Sequence, residues 1–209
     1  ALPIYEFGKF RILPKKMHID MLSASGHKIH GPKGTGFLYI SEKMKIVPII
    51  YGGGQQKGMR SGTDNVPGIA GLGLASKMVY DHLEENDKHM RGLRTYFVRE
   101  LAKMEQVVVH GPQGEEAAPQ IVSAAFVGVR SEVLLHTLEE RGIYVSAGSA
   151  CSTRKRSGSP TLTAIGLPKN QMEATVRFSF CETTTREELD YTLQVLNEVI
   201  PMLRRYARH

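Results

Sequence analysis

Ser23-Ala-Ser-Gly-His-Lys28-Ile-His-Gly-Pro-Lys-Gly-Thr-Gly36 sets one lysine between a hydroxyl-and-imidazole cluster and a glycine-rich turn. A lysine that forms a Schiff base must be partly desolvated and held by neighbours, because an ammonium at its ordinary pKa is a poor nucleophile. Ser25, His27 and Lys28 stand close enough along the chain to meet at one bound group. Taken alone, the stretch reads first as a solvated surface lysine in a chain with 27 Lys and Arg residues. The run Gly31-Pro-Lys-Gly-Thr-Gly36 lacks the closing Gly-Lys-Ser/Thr of a phosphate-binding loop and does not keep the dinucleotide-binding spacing, so a nucleotide site is set aside.

Outward from this stretch, apolar patterns at Phe37 to Ile40 and Ile46 to Ile50 predict strands. Asn65 offers an N-cap and Pro67 a first-turn proline ahead of Ile69, Leu72, Val79 and Leu83 at helical spacing. A second helix carries Leu93, Phe97, Leu101 and Met104 on one face. Strands are expected at Val107 to Val109 and Ile121 to Val127. Ser131 is the expected cap of a helix ending at Gly142, with Ile143 to Ser146 a strand leading to Cys151. Ser159-Pro160 opens a short helix that closes near Gly166. On the next strand Thr175, Arg177 and Ser179 face one side, and Val176, Phe178 and Phe180 the other, so Arg177 points away from the core. Thr184-Thr-Arg-Glu187 and Thr185-Arg-Glu-Glu188 both satisfy a capping box before a last helix, which Pro201 is expected to kink. Strands alternating with helices give an α/β class.

Composition narrows the function classes. At 209 residues, with 41% hydrophobic and 23% charged residues, the chain can bury a real core. No run approaches the ~18 consecutive apolar residues of a membrane span, and the start lacks a signal-peptide layout. Two cysteines, Cys151 and Cys181, make no disulfide framework, which favours a reducing, cytoplasmic setting. The net charge of +6 is scattered apart from Arg154-Lys-Arg156 and the basic tail, and no nucleic-acid signature accompanies it. The basic triplet behind Cys151 favours a thiolate nearby or is simply an exposed loop, the two readings standing about even.

Two further segments point the same way as the lysine stretch: Gly52-Gly-Gly-Gln-Gln-Lys-Gly-Met-Arg-Ser-Gly-Thr63, and Val145-Ser-Ala-Gly-Ser-Ala-Cys151-Ser-Thr153 with Arg177 inside Ala174-Thr-Val-Arg-Phe-Ser-Phe180. In order and spacing, from Gly8 onward, the three resemble the cysteine desulfurases, pyridoxal-phosphate enzymes of the class V aminotransferase superfamily. The resemblance implies the end of a fold type I large domain over residues 1–83, followed by a smaller α/β carboxy-terminal domain over 84–209 that carries the cysteine loop. It implies pyridoxal 5'-phosphate as cofactor, with Lys28 bonded to it and Ser25 and His27 holding its phosphate. Thr63 matches the threonine that reaches the phosphate of a neighbouring subunit, hence a homodimer. Arg177 matches the arginine that clamps the substrate carboxylate, and Cys151 the nucleophile that takes sulfur from L-cysteine, leaving L-alanine and a persulfide. A sulfur acceptor or iron-sulfur scaffold protein is the implied partner, without direct nucleic-acid or membrane binding. Cys181 has no counterpart and is expected to be structural.

The resemblance also has gaps. The aspartate that pairs with the pyridine nitrogen and the glutamine near the ring oxygen align with Leu2 and Tyr5, and a carboxylate missing opposite that nitrogen weakens the electron sink. The half of the family that precedes this region, with its ring-stacking histidine, has no counterpart here, which implies an amino-terminally truncated chain. Arg154-Lys-Arg156 lengthens the stretch after Cys151, a difference that bears on acceptor choice. Alternatives are a selenocysteine lyase or related class V enzyme, and a non-catalytic truncated subunit or sulfur-carrier-binding module.

Overall fold

The computed structural model describes residues 7–147 and 159–206. The chain divides into two compact units, Ala1–Asp87 and Lys88–His209.

In the first unit β1 (Met21–Ser25) pairs antiparallel with β2 (Gly36–Ile40), Met21 opposite Ile40 and Ser25 opposite Gly36. β1 escapes a periodicity reading because only Leu22 and Ala24 of its residues are buried, and the others are small or half-buried. α1 (Val66–Asp81) starts as its sequence dictates: the Asn65 side chain accepts from the Gly68 N–H at 3.1 Å, with Pro67 in the first turn. Leu72 and Val79 of α1 bury Ile29 between them. Ile69, expected on that inner face, is exposed, as are Val66, Leu74 and Met78. The helix is apolar nearly all round, so spacing alone does not single out its inner stripe. The expected strand at 46–50 does not form. Pro48 removes a ladder donor in the middle of it, and Val47 and Ile49 stand in solvent.

α2 (Leu83–Leu101) leads into the second unit, built on a four-stranded antiparallel sheet of order β3 (Val107–His110), β4 (Ile121–Phe126), β6 (Thr175–Ser179) and β5 (Ser146–Ala147). Between β4 and β6 the chain forms α3 (Ser131–Glu139), β5, α4 (Pro160–Ala164) and α5 (Lys169–Met172), and it ends in α6 (Arg186–Tyr206). Alternation sends Val122, Ala124 and Phe126 of β4 and Val176 and Phe178 of β6 to one face, where α2, α3 and α6 cover them. Phe97 is wholly buried at the centre, edge-on to Phe178 and Phe180 at centroid distances of 5.0 and 5.8 Å. Such aromatic pairs contribute ~0.5–1.5 kcal/mol beyond the area they bury.

Helix ends show which local signals the tertiary structure uses. Of the two overlapping capping boxes, the one formed is Thr185 with Glu188: the Thr185 N–H donates to Glu188 Oε2 at 2.8 Å and the Glu188 N–H to Thr185 Oγ1 at 3.2 Å. Thr184 instead accepts from the Cys181 N–H at 3.0 Å. Ser131 is not a cap. Its N–H donates to the Glu173 carbonyl at 2.8 Å, its side chain makes no capping bond, and Arg130 holds the N-cap position. Gly142, at φ +74°, closes α3, donating to the Glu139 carbonyl while the Ile143 N–H reaches Leu138. α6 runs through the exposed Pro201 to Tyr206, its last turn tied down by Arg204, which donates to the carbonyls of Val127 and Gln106.

Candidate active site

Ser25 ends β1, and the chain turns at once into a single 3-10 turn, Gly26–Ile29, that holds His27 and Lys28. Two features fix this turn. Ile29 is buried against α1, and the Gly26 N–H donates to the Thr35 carbonyl at 2.8 Å while the Thr35 hydroxyl donates to the Pro32 carbonyl at 2.7 Å. Glycine is required where the strands meet: a Cβ on Gly36 would stand 2.3 Å from the Ala24 carbonyl oxygen. The turn therefore shows His27 and Lys28 to solvent from a rigid base, with Ser25 half-buried beside them. Ser25 makes no capping bond to the turn. A hydroxyl, an imidazole and an ammonium on one braced turn form the donor set that suits a phosphate and a carbonyl carbon.

Thr63 is exposed on the loop before α1, apart from that turn in sequence. The loop braces itself: Ser61 Oγ donates to the Gly53 carbonyl at 2.8 Å, the Gly62 N–H to Gln55 Oε1 at 3.3 Å, and Gln56 Nε2 to Asp64 Oδ1 at 3.0 Å.

Arg177 belongs to the second unit, in the middle of β6 and on the sheet face away from the helices, where it is exposed. Its strand partners are Ser123 on β4 and Ser146 on β5, and an Arg177 terminal nitrogen donates to Ser146 Oγ at 3.4 Å. Two residues back on β6, the buried Thr175 hydroxyl gives its proton to the Gln171 carbonyl at 2.6 Å and so accepts from His110 Nε2 at 3.2 Å. Burial holds the His110 pKa below its ordinary value. The sequence places Ser146 on a strand but gives neither Ser146 nor His110 a role beside β6; that follows only from strand register, which no local motif marks.

Cys151 and the triplet Arg154-Lys-Arg156 lie outside the described residues, as do Leu2 and Tyr5. Cys181 is a free, half-buried thiol just after β6, with Sγ 3.2 Å from Thr183 Oγ1 and 3.6 Å from Thr184 Oγ1. Burial pushes this thiol up, as does the nearby Glu182 charge, and hydrogen bonds with the Thr183 and Thr184 hydroxyls and the Thr183 backbone more than offset them, leaving it below the ordinary cysteine value. Among the described residues no helix is long and apolar enough to cross a membrane.

The chain is similar over most of its length to proteins of known name. The cysteine desulfurase IscS of Clostridium botulinum (strain Hall) is 37% identical over 203 residues, 96% of this chain and 51% of that protein. The IscS of Methanosarcina thermophila is 37% identical over 201 residues, 96% of this chain and 50% of that one. Among solved structures, a NifS-like protein superposes with a TM-score of 0.85 at 35% identity, covering 96% of this chain and 52% of that chain. The chain spans about half the length of the curated relatives it matches. The mixed α/β architecture is that of the corresponding region of the NifS-like fold. With residues 6–192 matching the class-V aminotransferase domain, a match that takes in Ser25, His27, Lys28, Thr63 and Arg177 alike, the chain belongs to the class-V aminotransferase family.

Proposed function

We propose that this chain is the part of a pyridoxal 5'-phosphate-dependent cysteine desulfurase that holds the cofactor lysine, the substrate carboxylate site and the sulfur-accepting cysteine. The observation that carries the reading is the braced turn bearing Ser25, His27 and Lys28, in a chain 37% identical to enzymes named cysteine desulfurase. Ser25 and His27 would hold the phosphate, and Lys28 would bond to the cofactor carbon. When bound, pyridoxal phosphate supplies an electron sink for bonds broken at the amino acid Cα.

The chain's own residues divide the remaining work. Arg177 binds and orients the carboxylate of L-cysteine through its planar fork. Lys28 would move the proton between the amino acid Cα and its own Nζ. The Cys151 thiolate attacks the substrate sulfur, so that a sulfur–sulfur bond forms as the carbon–sulfur bond breaks. The substrate, protonated where the sulfur left, departs as L-alanine. The Cys151 persulfide is then handed to a sulfur acceptor, with an iron-sulfur scaffold protein the kind of partner this chemistry suits. Thr63, exposed on a self-braced loop, would reach the cofactor phosphate of a second subunit, making a homodimer with shared sites. Persulfide chemistry fits a reducing compartment such as the cytoplasm.

The test is the visible absorption spectrum of the purified chain with added pyridoxal phosphate, beside Lys28→Ala. A lysine-linked cofactor band in the wild type that is lost in Lys28→Ala supports the reading, and no band in either overturns Lys28 as cofactor lysine in this chain. With the band present, formation of alanine and of a Cys151 persulfide from L-cysteine, abolished by Cys151→Ser, tests desulfuration itself.

A further inference from the structure

On the open face of the second unit's sheet, the ladder places two serines beside Arg177, Ser123 directly opposite it on β4 and Ser146 directly opposite it on β5. Directly opposed residues share one face of a sheet with their Cβ atoms ~5 Å apart, so both hydroxyls flank the base of the guanidinium side chain. The two are not equivalent. Arg177 turns to β5 and donates a terminal N–H to Ser146 Oγ at 3.4 Å. Among the described residues, none of the ion pairs includes Arg177.

A hydroxyl partner does something a carboxylate cannot. An aspartate or glutamate at this place would neutralise the guanidinium and compete with any incoming carboxylate for its paired N–H donors. Serine accepts one hydrogen bond, leaves the charge intact, and leaves the other donors of the fork for a ligand. A long exposed arginine otherwise loses much rotamer freedom on binding, and holding it beforehand reduces that loss. We propose that Ser146 is a positioning residue that sets the Arg177 guanidinium for bidentate capture of the carboxylate of an α-amino acid. This rests on the reading of Arg177 as the carboxylate site.

The experiment uses the full chain and follows the side-chain Nε–H resonance of Arg177, assigned by its loss in Arg177→Lys. Wild type, Ser146→Ala and Ser146→Thr are titrated with L-alanine and with L-alanine methyl ester, which presents no carboxylate. Circular dichroism verifies that each variant is folded. The expected result is that L-alanine shifts the resonance and the ester does not, that Ser146→Ala binds L-alanine about three- to tenfold more weakly, the scale of one long, solvent-exposed hydrogen bond, and that Ser146→Thr, which keeps the hydroxyl, stays within about twofold of wild type. If L-alanine binds, and Arg177→Lys abolishes that binding while Ser146→Ala leaves it unchanged, the positioning role fails and the carboxylate reading stands. Equal weakening by Ala and Thr marks a packing effect and also overturns the role. No response of Arg177 to L-alanine in the wild type overturns the carboxylate reading and the positioning role together.

Discussion

Replacing Gly36 by alanine adds one methyl group at the point where β2 crosses closest to β1. Its Cβ would stand 2.3 Å from the Ala24 carbonyl oxygen and 3.4 Å from the Ser25 Cα. Contacts under 3.0 Å are essentially never seen for a real Cβ, and both neighbours are backbone, so no side chain can swing aside. The strands must part by at least 0.7 Å, the difference between 3.0 and 2.3 Å, in the pair that ends at Ser25. Forced overpacking of this kind costs ~1–3 kcal/mol. Gly73 is the internal control. It lies exposed within α1 with nothing within 4 Å of its would-be Cβ, and alanine in a helix interior is favoured over glycine by ~0.5–1 kcal/mol. The same chemical change therefore carries opposite signs at two positions of one unit. Urea unfolding followed by far-ultraviolet circular dichroism reads both, and titration with pyridoxal phosphate reads the site, where Gly36→Ala is expected to weaken binding and Gly73→Ala to leave it unchanged. A Gly36→Ala chain as stable as wild type, with unaltered affinity, would refute the account of how β1 and β2 fix the Lys28 turn.

Other expectations concern the second unit. Phe97→Ala empties a fully buried site between Phe178 and Phe180 and should cost ~3–5 kcal/mol in the same denaturation experiment; a loss below ~1 kcal/mol contradicts a core centred on that ring. Thr185→Ala removes the acceptor of the Glu188 N–H and should cost ~0.5–2 kcal/mol, with Thr184→Ser, which keeps its hydroxyl, close to neutral. His110 has its pKa lowered by burial, so its contribution to stability is complete above the unfolded imidazole value of ~6.5 and is lost as pH falls from there towards the folded value, where the unfolded chain binds the extra proton. Unfolding midpoints measured across that window should therefore drop on acidification in the wild type and drop less in His110→Gln; equal slopes would dismiss His110 as a source of the pH dependence.

The candidate site was legible in the sequence where its chemistry is local. Ser25 ends β1 and His27 and Lys28 lie in the turn that follows at once, so their nearness along the chain needs only its own connectivity. Arg177's outward orientation followed from the two-residue period of its strand, and Asn65 as a cap followed from its place before Pro67. Where signals overlap, local reading stalls: two capping boxes share Thr185, Arg186 and Glu187, and the choice between them depends on the Cys181 N–H taking the Thr184 hydroxyl. Ser131 looks like a cap, but the helix already begins on it and Arg130, in extended backbone, takes the N-cap position. Ile46 to Ile50 has the apolar content of a strand, but a strand needs a partner, and Pro48 lacks the donor to hold one.

By itself the sequence determined the class of architecture, the helix starts with an unambiguous cap and the outward face of β6. These depend on chain connectivity and on the fixed periods of helix and strand. Tertiary structure alone decided the order and register of the four-stranded sheet, and with them the placing of Ser146 beside Arg177 and of His110 beside Thr175. The physical reason is that register is settled by packing one face of the sheet against helices contributed by distant segments. The burial of Phe97, Phe126 and Phe178 together fixes which residue of β4 stands opposite Arg177.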